Sequence, residues 1–286
     1  MTNYIRAFSE RDGWSFDHCV PAFPSRDETS GTRFSSCLTH PISDHFPRRR
    51  ILGIDVIAAT GADVIADLLA RLAARSKTDV AFANANLLTH ASRNTDVAQA
   101  LSRMLVLNDG IALDLASRAL YGCGFPENLN GTDFMPRLID ALPRGTRIFL
   151  YGARAHVVAT LAGQLSAEGR LNVCGWCDGY THSPSLLDEI NAARADVVLV
   201  ALGNPRQELW TAAAREVVSA PLVIGVGAFF DFATGQVPRA PLLMRKLRME
   251  WLFRLAMEPR RLWRRYTSDA AWFFYLVAKQ AVRTRK

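Results

Sequence analysis

Short apolar runs, alternating with segments of helical period, most constrain what this 286-residue chain can fold into. The runs are 51–57, 80–83, 105–107, 147–151, 171–173, 197–202 and 222–226. Between most of them, residues 62–74, 111–120, 134–142, 155–167 and 207–217 place apolar side chains on one helical face. Short continuous runs rich in Val, Ile and Leu are what strands covered on both faces look like. Alternation with helices then implies a mostly parallel sheet with helices on both faces, an α/β architecture that is Rossmann-like in the broad sense. The first run also fits an edge hairpin.

Residues 1–50 are rich in Ser, Asp, Arg, Pro and His without a period, and read as a flexible or loosely attached leader. Residues 51–236 form the α/β body. From 237 to 286 aromatic and basic residues interleave, as in Trp251, Phe253, Trp263 and Tyr266 among arginines, which predicts two or three amphipathic helices appended to the body. This tail holds thirteen Lys or Arg against three acids, a net of +10, so residues 1–236 carry −3 of the overall +7. Such asymmetry marks the C-terminus as a surface for anionic partners. Five irregularly spaced cysteines give no disulfide framework, and a reducing compartment is expected. No run reaches the roughly 18–20 apolar residues that span a bilayer, and residues 270–278 could lie on a membrane but not cross it.

In an open parallel sheet, ligands bind beyond the carboxyl ends of the strands. The residues there are polar or glycine: Asn84 and Asn86, then Asn108, Asp109 and Gly110, then Gly152. They continue with Gly203, Pro205, Gln207 and Glu208, and finally Gly227 and Asp231. Alone, Asp109-Gly110 reads as a turn, Gly152 as a strand-to-helix bend, and Pro205 to Glu208 as a helix opening. Together they form one edge. Other motifs carry less. Cys174 and Cys177 have the spacing of a redox pair but run into a turn instead of opening a helix. Gly122 and Gly124 lack a third glycine and a preceding strand, and there is no Walker sequence. No Asp-x-Asp pair exists for a metal–diphosphate site, so no metal and no cofactor is expected.

These blocks, with Asn130-Gly131-Thr132-Asp133, Asp178-Gly179-Tyr180, Arg239-Ala240-Pro241, Glu250-Trp251 to Leu255 and Glu258-Pro259-Arg260-Arg261, resemble the bacterial WecG/TagA/CpsF glycosyltransferases from about Ile51 to Tyr266. The resemblance implies an inverting, metal-independent transfer from a UDP-sugar, of N-acetylmannosamine or glucose type, to a sugar on polyprenyl diphosphate, in cell-surface or exopolysaccharide synthesis. The enzyme would work on the cytoplasmic face of the membrane. The resemblance makes Asp109 the base and places Asn84 and Gln207 at the sugar nucleotide. Gly131, Thr132 and Asp133 belong to a matching block. Many members carry Thr where this chain has Phe82, which leaves the donor sugar open.

Without a metal pair, positive charge for the leaving diphosphate must come from the protein. By motif Arg239, Arg254 and Arg260 are the expected donors, assisted by backbone N–H groups at Gly152 and Gly227. Residues 263–286 are expected to hold the enzyme on an anionic membrane, so removing 268–286 should spare turnover of a soluble acceptor. A homo-oligomer is left open. The rival reading is a nucleic-acid-binding protein that uses the basic tail, shown by salt-sensitive DNA or RNA affinity without sugar transfer; on the primary reading no nucleic acid is a partner.

Overall fold

The computed structural model describes residues 46–181, 183–241, 244, 250–257, 260, 263 and 267–284. The strands are β1 (Arg48–Ile51), β2 (Ile54–Ile57), β3 (Thr78–Ala83), β4 (Leu105–Asn108), β5 (Arg147–Gly152), β6 (Asn172–Cys177), β7 (Val197–Ala201) and β8 (Leu222–Gly225). The helices are α1 (Gly61–Ala73), α2 (Ala85–Ala91), α3 (Thr95–Ser102), α4 (Ile111–Tyr121), α5 (Gly131–Ala141), α6 (Ala155–Ala167), α7 (Leu186–Ala192), α8 (Arg206–Ala214), α9 (Phe229–Ala233), α10 (Glu250–Met257) and α11 (Ser268–Thr284).

Six strands form one sheet in the order β4-β3-β8-β7-β5-β6, every pair parallel. The two-residue period of a strand feeds two layers at once. In β3, Val80 and Phe82 enter a core with Leu68, Phe134, Leu138, Leu161 and Phe230, which come from α1, α5, α6 and α9. Ala81 and Ala83 enter a second core with Leu87, Leu101 and Leu113 from α2, α3 and α4. On the same side, Ile190 of α7 and Trp210 of α8 pack over β5, β7 and β8. Local chemistry starts several of these helices: the side chains of Thr60, Asn84, Asn94 and Asn130 accept from the first-turn amides of α1, α2, α3 and α5. Gly122 ends α4 in the left-handed conformation, φ 75°.

The first run is the hairpin that was one of its two readings: β1 and β2 pair antiparallel. It starts at Arg48, so Arg48 to Arg50 belong to the body and not to the leader. Arg49 is held by the carbonyl of Cys123 at 2.9 Å, by the Ser117 hydroxyl and by the face of Phe125. Residues 1–45 lie outside the described residues.

The tail differs from expectation. α11 packs on α2 and α4, with Phe273 and Val277 buried in the second core. Gln280 accepts from Leu52 N–H and donates to the Arg50 carbonyl, both at 2.8 Å, tying the last helix to the hairpin. The helix is a wall of the fold, so removing residues 268–286 uncovers core and cannot spare the body. Among the described residues, no helix is long and apolar enough to cross a membrane.

Candidate active site

β5 leads through α6 outward to β6, while its neighbour β7 leads through α8 the other way to β8. A crevice opens at the carboxyl ends of strands that diverge in this way. Its walls are close. A Cβ on Gly152, at φ 114°, would stand 2.5 Å from the Ala201 carbonyl oxygen, and one on Gly179 would stand 2.9 Å from Leu202. Glycine is therefore required at 152, where β5 ends against the backbone of β7. Asp178 is buried beside it. Burial alone would raise its carboxyl, but hydrogen bonds from Thr181 and Tyr180 outweigh that and hold it below the usual range.

The other half of the edge is built around β3 and β4. Asp109 follows β4, and its N–H donates to the Ala83 carbonyl at 2.7 Å, which sets it beside Asn84 at the end of β3. The Gly110 N–H is held by Asn128 Oδ1 at 2.9 Å. Buried Asn108 donates to the Glu127 carbonyl at 3.0 Å, and among the described residues its Oδ1 has no hydrogen-bond partner. Segment 127–130 thus lies across the strand ends, and Glu127 also accepts from Gly61 N–H at 2.7 Å and pairs with Arg137. It delivers α5, whose first turn holds Gly131, Thr132 and Asp133. Arg239 reaches that turn and donates to Asp133 Oδ1 at 2.5 Å and to the Thr132 carbonyl at 3.2 Å. Asn84, Asp109, Gly110, Asp133 and Arg239 are therefore brought together from four parts of the sequence.

The two halves are not interchangeable. β4 and β5 stand four strand spacings apart, about 19 Å at roughly 4.8 Å each. Asp109 and Gly152 can serve only opposite ends of an extended ligand.

Gln207 and Glu208 are present at the crevice but are 1% exposed. Gln207 Oε1 accepts from Gly227 N–H at 3.0 Å, and its Nε2 donates to Asn204 and Glu208. It braces the loops after β7 and β8. A Cβ on Gly225 would lie 2.9 Å from that amide, so β8 must end in glycine to admit it. Burial pushes Glu208 up to about 8, against the opposing bond from Gln207. Asp79 is also raised, to about 6, by burial in spite of Arg215 at 3.2 Å, but it opens β3 at the opposite edge of the sheet.

Phe82 is buried in the first core. It packs edge-on against Phe134, ring centroids 5.7 Å apart, and lies directly beneath Gly131 in the first turn of α5. Asn86, Gly203, Pro205, Gly227 and Asp231 are half-buried along the edge. Arg260 is exposed, and the side chain of Arg254, on α10, lies outside the described residues. Cys174 and Cys177 sit on strand β6, away from any helix N-terminus. Among the described residues no three His, Cys, Asp or Glu gather as metal ligands. Glu127 and Asn128 carry no sequence signal beyond being polar residues in turns, yet their side chains hold the Gly61 and Gly110 amides.

The family model described as Glycosyl transferase WecG/TagA/CpsF family matches residues 49–286. The match takes in the hairpin and α11, beyond the stretch over which the motifs are recognisable.

Proposed function

The chain belongs to the WecG/TagA/CpsF family of glycosyltransferases, and on that premise we propose an inverting, metal-independent transfer of a hexose from a UDP-sugar to a sugar carried on polyprenyl diphosphate. The observation that carries this reading is the division of the edge. A carboxylate stands at one end and a glycine-lined crevice at the other, with room between them for a nucleotide-sugar. The nucleotide belongs at the crevice, where Gly152 has no side chain to keep phosphate from the backbone; the Gly227 N–H, expected to assist there, is instead taken by Gln207. The acceptor hydroxyl belongs at Asp109, which takes its proton as it attacks the anomeric carbon.

Asn84 spends its oxygen on capping α2, accepting from Leu87 N–H at 3.1 Å. Its amide is then the group offered to the ligand, as a donor. Arg239, bound to Asp133, orients the first turn of α5, and Arg254 and Arg260 are the remaining cations assigned to the diphosphate. Offering a panel of UDP-sugars with a short-chain polyprenyl-diphosphate-sugar tests the whole reading; no transfer from any of them would sink it. With no Asp-x-Asp pair in the sequence to hold a cation, the rate in EDTA should equal the rate in magnesium. Loss of turnover in chelator, restored by magnesium or manganese, would overturn metal independence.

A lipid-borne acceptor brings the enzyme to the bilayer. On α11, Trp272 and Tyr275 stack with centroids 5.2 Å apart and are 41% and 55% exposed, while Phe273 faces the core. Arg93 lies over Trp272 at 5.1 Å. Aromatic and basic side chains side by side on an exposed helix face suit the interfacial region. Trp272→Ser with Tyr275→Ser should cut co-sedimentation with anionic liposomes severalfold and leave turnover of a soluble acceptor near native. Unchanged liposome binding would remove the membrane from this face.

A further inference from the structure

Gln207 could sit either way round in its pocket, and only its neighbours decide which. Its Nε2 meets two acceptors, Asn204 Oδ1 at 3.1 Å and Glu208 Oε1 at 2.9 Å, while its Oε1 meets the Gly227 N–H at 3.0 Å. Turned over, it would set oxygen against oxygen and N–H against N–H. Of these neighbours the Gly227 N–H can only donate, and Glu208 Oε1, when the carboxyl's proton is on the other oxygen, accepts from the Gln207 nitrogen opposite it. We infer that Glu208 is a positioning residue of the crevice: its carboxyl fixes which way the Gln207 carboxamide faces, and through Gln207 it holds the Gly227 amide and the loop after β8.

The surroundings decide the form in which Glu208 does this. Its second oxygen, Oε2, has no hydrogen-bond partner among the described residues. α8 packs on β7, β8 and α3. The two strands carry no charged residue, α3 carries only Asp96, and α8 itself carries only Arg206 besides Glu208. Neither of those charges acts on the carboxyl: burial raises it, and only the Gln207 bond and its own backbone N–H oppose. A bare carboxylate without a cation is costly in such a place. Glu208 is therefore protonated at pH 7, with the proton on Oε2 and Oε1 left to accept. Ionisation draws the side chain towards water and releases Gln207. Because the folded value is raised from 4.5 to about 8, the stability that Glu208 contributes is full below 4.5, falls as the pH rises and is gone above about 8.

The crevice role rests on the glycosyl-transfer reading; the brace itself does not, and one experiment separates them. Hydrogen exchange of the Gly227 amide, corrected for its intrinsic rate, is followed by NMR from pH 6 to 9.5 in the unliganded native protein, Glu208→Gln and Glu208→Leu, with UDP affinity measured alongside. Native protein should lose protection about tenfold as the pH passes 8, the size of one hydrogen bond. Glu208→Gln, a neutral isostere, should match it at pH 6 and keep its protection to pH 9.5, and UDP affinity should follow protection. Glu208→Leu should be unprotected throughout; if it does not fold, the first two proteins decide. Parallel curves for native and Gln proteins, or a Gln protein unprotected at pH 6, would overturn the assignment. Protection as expected with no UDP binding by any of them would leave the brace standing and remove the glycosyl-transfer reading.

Discussion

Asp109→Asn should leave a folded protein whose single-turnover rate is lower by about 10²–10⁴-fold, the usual worth of a positioned general base. The substitution keeps the shape of the side chain while removing its charge and its ability to take a proton. The backbone there is pinned by groups that the change does not touch, Asp109 N–H on the Ala83 carbonyl and Gly110 N–H on Asn128. Its side chain is half-buried, so the melting temperature should move little. Three other acids of the edge are already committed. Asp133 is paired with Arg239 and accepts from the Asn130 amide, Asp178 closes its own turn, and Glu208 is sealed in protein. The check is single-turnover kinetics at saturating donor and acceptor beside a melting curve. A rate within threefold of native would mean that Asp109 is not the base.

The strands were legible because a strand buried on both faces has no polar alternation to obscure it: 147–151 and 197–202 match β5 and β7 almost residue for residue. Their order was not. β8 lies between β3 and β7 because two crossovers leave in opposite directions, which nothing local encodes. α2, α7 and α9 have seven, seven and five residues, too short for a 3.6-residue period to show. The site's location followed from parallelism, since every strand end falls on one edge. The duties of its residues did not follow. Gln207 and Phe82 are turned inward by contacts with Gly227 and Phe134, partners 20 and 52 positions away along the chain. Arg239 is bound to an acid 106 positions away. In the tail, Trp272, Phe273, Phe274 and Tyr275 run round the whole helix, so the cluster looked like one membrane-facing patch. The four-residue spacing of Phe273 and Val277 is the signal of a buried stripe within it.

Phe273→Ala should therefore be the most damaging single change in the tail, costing about 3–5 kcal/mol in urea unfolding, the range for a buried Phe reduced to Ala. Phe273 is 0% exposed in a core shared with Leu87, Leu88 and Leu113, and α11 is the last element to close over α2 and α4. The cavity cannot collapse easily, because Gln280 fixes the helix to the hairpin seven residues further on. Trp272→Ala, next to it but 41% exposed, leaves no internal void and should cost under about 1 kcal/mol. The contrast between neighbours separates packing from docking. Chain ending at residue 267 should fail on soluble and membrane-borne acceptors alike, because the second core is open, so its failure says nothing about the bilayer. If Phe273→Ala and Trp272→Ala unfold at the same urea concentration, α11 does not complete the core, and the truncated chain becomes a fair test of membrane docking after all.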